Sequence, residues 1–193
     1  MTIMNWNYKE EYRPQLPYYL GIDLAGYGGD ENAFVSAELD KNKVRIVRVR
    51  KTERMPAPDT IGRTIKMDSY FKYRRIFMDD GGLGSPITDL MKEHLGRKVM
   101  GLNNSSKRFQ EQGEDKKRGI FKEDLYANTL MLMETGNLEI INDMDLLRSM
   151  KSITFEYSAD KKLRIFGDYT HLTEALVRAC WCIKEKGLNL YVY

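Results

Sequence analysis

Two short apolar segments, each ending on aspartate and running into a glycine-rich turn, most constrain this chain's fold. The first lies in "GIDLAGYGGDENAFV", residues 21–35. Asp23 closes an apolar run that begins at Tyr18, and Gly26, Gly28 and Gly29 lead to a second acid, Asp30. The second is "IFMDDGGLGSP", residues 76–86, where Ile76 to Met78 runs into Asp79 and Asp80. Short runs of β-branched, aromatic and aliphatic residues bounded by glycine read as buried strands. A strand that ends on a carboxylate and turns through glycine can serve two chemistries. Its backbone N–H groups can cradle a phosphate, or its carboxylate can hold a metal ion.

The rest of the chain supplies partners for these strands. Tyr18 to Asp23, Ala33 to Leu39 and Val44 to Arg50 ("VRIVRVR") read as three strands of an antiparallel meander, with a tight turn at Asp40 to Asn42. Asp59 to Tyr73 has helical spacing, with Asp59 as its expected cap. Ile76 to Met78 is the fourth strand, Ile87 to His94 a helix entered through Pro86, and residues 97–102 ("RKVMGL") the fifth strand. Residues 103–119 are polar and loop-like. Phe121 to Thr135 is an amphipathic helix stopped by Gly136, and Asp143 to Met150 a shorter one. "SITFEYSADKKLRIFG" reads as a hairpin turning at Ala159 to Lys161, and the last helix runs from about Thr170 to Lys186. Antiparallel strands followed by strands alternating with helices predict an α/β protein. Its mixed five-stranded sheet, three antiparallel strands then parallel ones, is flanked by helices, with an extra hairpin before the last helix.

If the first and fourth strands are neighbours, Asp23 and Asp79 emerge at the same sheet edge. The final helix opens "GDYTHLTEAL", in which Asp168, His171 and Glu174 are three apart and share a face. Carboxylates from a sheet edge and a facing helix suit a hard cation, Mg²⁺ or Mn²⁺. Two such ions, roughly 4 Å apart, clamp the attacking and leaving oxygens of a phosphodiester.

Bulk properties leave that reading open and close others. The 193 residues suffice for one domain, expected over 18–193, with residues 1–17 a polar lead-in or linker. A net charge of +3 permits nucleic-acid binding without demanding it. No apolar run approaches the ~20 residues of a membrane span. Cys180 and Cys182 provide no disulfide framework and fit a reduced compartment.

In order and spacing, these segments resemble the ribonuclease H-like nucleases, and more narrowly the C-terminal nuclease domain of the large terminase subunits of tailed phages. "GIDLAGYGGDENAFV" is similar to that family's first motif, "IFMDDGGLGSPITDLM" to its second and "DYTHLTEALVRACW" to its third. "VMGLNNSSK" resembles its fifth strand and following loop. "FKEDLYANTLMLMETGNLEIINDMDLLRSM" resembles a helix, short strand and small helix that come next.

The resemblance implies that Asp23 and Asp79 are metal ligands. The third ligand is expected at Glu174, where the family usually shows aspartate, with His171 as a ligand or proton-transfer group and Asp168 in reserve; Asp80 and Asp30 are weaker candidates. It implies two-metal-ion hydrolysis of double-stranded DNA with Mg²⁺ or Mn²⁺, cutting concatemeric viral DNA during packaging. The implied partners are an N-terminal packaging ATPase domain, a portal and a small terminase subunit, in the cytoplasm of the infected host cell. The hairpin at 152–166 resembles one held beside the family's active site. Phosphate contacts are expected from Arg48, Arg50, Lys51 and Arg54, from Lys107, Arg108, Lys116, Lys117 and Arg118, and from Lys161 and Lys162.

Three alternatives share parts of the pattern. Actin-like and chaperone-type ATPases also pair "GID" with an Asp-Gly-x-Gly turn, but they need two lobes and roughly twice this length. A terminase's own ATPase would need a phosphate-binding Gly-x-x-x-x-Gly-Lys-Ser/Thr, and the sequence has none. A Holliday-junction resolvase would use the same fold as a dimer. A non-catalytic DNA-binding or motor-docking module would keep the fold without the chemistry.

Overall fold

The computed structural model describes residues 2–4, 12–24, 31–80, 84–102, 121–157 and 163–184. Its centre is a seven-stranded mixed sheet. In chain order the strands are β1 (Thr2–Met4), β2 (Tyr18–Asp23), β3 (Glu31–Asp40), β4 (Lys43–Glu53), β5 (Arg75–Met78), β6 (Val99–Gly101) and β7 (Leu138–Ile141). Across the sheet the order is β1-β7-β4-β3-β2-β5-β6. The meander β2-β3-β4 is antiparallel, and β5 and β6 continue parallel to β2. These are the five expected strands. Two more extend the sheet beyond β4: β7 pairs with it in parallel, and β1 pairs with β7. Both are short, three or four residues, too brief for a period to announce them; β1 is the edge, and β7 is the short strand that the family resemblance placed after the helix over Phe121 to Thr135.

Helices cover both faces. On one lie α1 (Ala57–Phe71) and α2 (Gly84–Leu95). On the other lie α3 (Phe121–Glu134), α4 (Met144–Ser152) and α5 (His171–Cys180). Each face has its own core, and alternate residues of the central strands feed one or the other. Tyr19, Ala33, Val35 and Phe77 pack toward α5, whereas Leu20, Ile22, Phe34 and Ile76 pack toward α1. Burial on both faces explains why β2 and most of β3 are apolar rather than alternating. The β3–β4 turn is tight, with Lys41 at φ 52°. Asp59 sits in the first turn of α1 and does not cap it; Pro56 occupies the cap position. The hairpin is a separate ribbon, β8 (Thr154–Tyr157) against β9 (Leu163–Phe166). Among the described residues no helix is long and apolar enough to cross a membrane.

α5 approaches the sheet most closely at Gly21. A Cβ there would lie 2.0 Å from the Ala175 carbonyl oxygen and 2.5 Å from the Ala179 nitrogen. Only glycine lets helix backbone and strand backbone meet at this distance. The C-terminal half of α5 is therefore seated over the end of β2. Its N-terminal turn is tied to α4, where Ser149 and Thr173 share a 2.8 Å hydroxyl hydrogen bond. Asn128 of α3 donates to the Cys180 carbonyl at the other end.

Candidate active site

The parallel pairing of β2 and β5 sets Ile22 beside Met78. The residues that follow, Asp23 and Asp79, leave the same edge of the sheet as lateral neighbours. α5 crosses this edge and delivers His171, Glu174 and Arg178, which share one helix face by their three- and four-residue spacing.

The resulting cluster is close and mostly buried. His171 Nδ1 lies 2.8 Å from Asp23 Oδ2. Arg178 is fully buried among the acids. Its Nη1 lies 3.2 Å from Asp23 Oδ1 and 3.0 Å from Glu174 Oε2, and its Nη2 lies 3.3 Å from Asp79 Oδ2. The same Nη1 donates to the Glu174 carbonyl oxygen at 2.8 Å. The Tyr126 hydroxyl donates to Glu174 Oε1 at 2.8 Å, and Lys122 Nζ lies 2.9 Å from that oxygen. Lys122 also donates to the Ile165 carbonyl, which links the hairpin to the site.

Burial and neighbouring charge act on each acid differently. Burial pushes the Asp23 carboxyl up, and the His171 hydrogen bond and the Arg178 charge only partly offset it. Glu174 is also pushed up by burial, but Arg178 and Lys122 outweigh that and hold it below its ordinary value. Burial and the Glu174 charge raise the Tyr126 hydroxyl, so it remains a donor.

The expected residues sort into four groups, the last of them on strand β4. Asp23, Asp79, Glu174 and His171 come together. Asp168 is exposed in the turn before α5, with no hydrogen bond or ion pair to the cluster among the described residues, and Asp80 lies beside Gly101 with its Oδ1 buried. Asp30, Lys107, Arg108, Lys116, Lys117, Arg118, Lys161 and Lys162 lie outside the described residues.

Of the strand β4 cations, Lys51 lines a cleft of about 350 Å³ with His171, Tyr169 and Arg148. There Lys51 meets Glu31 at 3.1 Å and Asp145 at 3.3 Å. Arg48 packs on the other side of the sheet, over the Phe71 ring of α1. Strand alternation sends Arg50 to that side as well, and Arg54 is exposed at the strand's end, at φ 50°.

Sequence reasoning missed Arg178, Tyr126 and Lys122. The spacing Glu174-x-x-x-Arg178 was a visible signal, but by itself it describes an ordinary surface ion pair.

The donor set suits a divalent cation: carboxylate oxygens from three elements, with an imidazole beside them. The space between them is filled by the guanidinium. Among the described residues no three His, Cys, Asp or Glu side chains close around one point as ligands do.

No family model matches the sequence, and no curated protein matches it either. Solved structures do. The large terminase nuclease of thermophilic phage G20c superposes with a TM-score of 0.71 at 20% identity, covering 88% of this chain and 84% of that one. The same nuclease with bound magnesium gives 0.69 at 19% identity, covering 91% and 85%. The large terminase of a second thermophilic bacteriophage gives 0.69 at 12% identity, covering 94% of this chain but 42% of that one. These likenesses rest on fold rather than sequence. The chain has the ribonuclease H-like fold of the nuclease domains of large terminase subunits.

Proposed function

We propose that this chain is a divalent-metal-dependent DNA endonuclease that cuts concatemeric viral DNA during genome packaging. The observation that carries this reading is the convergence of Asp23, Asp79 and Glu174 at one sheet edge, in a fold whose G20c relative has been solved with magnesium, cobalt and zinc. The resemblance extends the reading to a packaging motor with an ATPase domain, a portal and a small terminase subunit, acting in the infected host cell's cytoplasm.

Asp23, Asp79 and Glu174 would hold two Mg²⁺ or Mn²⁺ ions, with His171 beside them. Bound there, such ions supply a hydroxide nucleophile and stabilise the leaving 3′ oxygen. The chain's own residues prepare the site. The low Glu174 pKa keeps that carboxylate charged at neutral pH, and Tyr126 and Lys122 fix its orientation. His171 sits at the mouth, about one-third exposed, where it can pass a proton between the reacting water and solvent. Lys51, in the adjoining cleft, offers a phosphate contact.

Plasmid nicking tests the proposal. Wild-type protein should nick supercoiled DNA in Mn²⁺ and fail in EDTA, while Asp23→Ala and Asp79→Ala should be inactive yet folded by circular dichroism. Wild-type nicking by either variant would reject that residue as a ligand. Preferential cutting of four-way junctions over linear duplex would favour a resolvase. A non-catalytic module has one observation in its favour, the guanidinium that fills the centre of the acids. Absence of both Mn²⁺ binding heat and nicking would decide for it.

A further inference from the structure

We infer that Arg178 is a resident cation that competes with a divalent ion for Asp23, Asp79 and Glu174, and so sets the site's metal affinity. The inference rests on the metal-dependent reading above. The guanidinium touches carboxylate oxygens of all three acids within 3.3 Å, and it comes from the same helix as Glu174. It has no exposed surface at all. A fully buried arginine stays charged, because its pKa lies too high for it to escape burial by losing a proton. Its charge therefore acts on the three carboxylates whenever it occupies this place.

The hydrogen bonding shows that the arrangement is electrostatic rather than a finished network. Nη1 is well used, with Asp23, Glu174 and the Glu174 carbonyl around it. Nε and Nη2 are buried without a hydrogen-bond partner among the described residues; Nη2 reaches Asp79 only as an ion pair. A structural arginine at this depth normally has most of its five N–H groups bonded. Among the described residues Arg178 hydrogen-bonds only Glu174, so its hold on Asp23 and Asp79 is the attraction of opposite charge, which a divalent ion exerts more strongly.

Charge counting points the same way. Asp23, Asp79 and Glu174 face Arg178 and, at Glu174, Lys122. The cluster stays acid-rich even with its guanidinium in place. Ion entry then requires the Arg178 side chain to swing out from between the acids. Arg178 acts through the ligands and is a positioning residue.

Calorimetry with Mn²⁺ alone, without DNA, tests this on the wild type and on Arg178→Gln. The variant should bind Mn²⁺ about 10-fold tighter or more, within the range by which residues around a metal site tune affinity. Its metal-free melting temperature should fall and recover on adding Mn²⁺. Equal affinity in two folded proteins would overturn the inference while leaving ion binding in place. No binding heat in either would overturn the metal-dependent reading and the inference with it. The wild type gives a second measurement that does not depend on the variant folding. The Arg178 Nε–Hε resonance should shift as Mg²⁺ is titrated to saturation. A resonance that stays fixed while Asp23 and Glu174 signals move would overturn the inference.

Discussion

At the start of β2, the Tyr18 hydroxyl donates to Glu38, which also meets Arg45 at 3.1 Å and Arg13 at 3.5 Å; Glu139 nearby is held by Lys43 and Arg45. At the end of the same strand, Asp23 meets His171 and Arg178. Both ends of the sheet bury charge, on opposite terms. The first cluster sets three basic side chains against two carboxylates and gives each carboxylate several donors. The second gathers three carboxylates around one under-bonded guanidinium, with Lys122 at its margin. Buried charge that is fully paired fixes structure, whereas buried charge left short of partners is where a ligand can enter.

The largest effect should come from breaking the paired end. Glu38→Gln should cost about 3 kcal/mol in urea unfolding, because it removes the buried carboxylate that Tyr18, Arg45 and Arg13 share, and should leave nicking per folded molecule intact. Asp23→Asn should abolish nicking but leave metal-free stability at pH 7 equal or higher, since it removes a carboxylate that burial penalises. A comparable stability loss in both variants would erase the contrast. Next in size, Gly21→Ala should cost about 3 kcal/mol and also reduce Mn²⁺ binding, because the added Cβ pushes α5 and its Glu174 off β2. Unchanged melting would show that the close approach is not enforced.

A smaller effect separates the two ends by pH. Glu139 is pushed up by burial, but its hydrogen bonds from Lys43 and Arg45 prevail and hold it below 4.5. Its stabilisation is therefore complete above pH 4.5 and lost as pH falls through its lower folded value. Asp23, raised above 3.8, has the opposite sign: its penalty is absent below pH 3.8 and grows as pH rises through its folded value. Glu139→Gln should flatten the acid limb of a stability–pH curve, and Asp23→Asn should steepen it. Identical limbs in both variants would remove the distinction. Smallest of all, Lys51→Ala should lower the salt slope of DNA binding by about 1, as loss of one phosphate contact does, whereas Arg50→Ala on the far face should not. Equal changes would place DNA across both faces.

Much of this was legible because it is local. Asp23 and Asp79 announce themselves as the polar ends of apolar runs, and parallel pairing then makes them neighbours. Glu174 and His171 follow from helical spacing. Arg178 was illegible for the converse reason. Its sequence neighbours show a cation four residues after an acid, which on most helices means a solvated pair. Its burial depends on Gly21, more than 150 residues away, letting α5 down onto the sheet. Lys122 is hidden in the same way, since its partners Glu174 and Ile165 lie in distant segments. The edge strand β1 escaped because three residues carry no readable period, and β7, with four, was legible only through the family resemblance.

The contact at Gly21 has a mechanical consequence. Helix and strand backbones meet with no side chain between them, so α5 cannot settle lower or slide along β2 without a clash, and lifting it would open a void. Glu174 is anchored by that same helix. Should a divalent ion displace Arg178, the exchange would be a change of torsions along the arginine's aliphatic stem rather than the working of a hinge or lid. A site of this design would keep its safety catch in a single side chain.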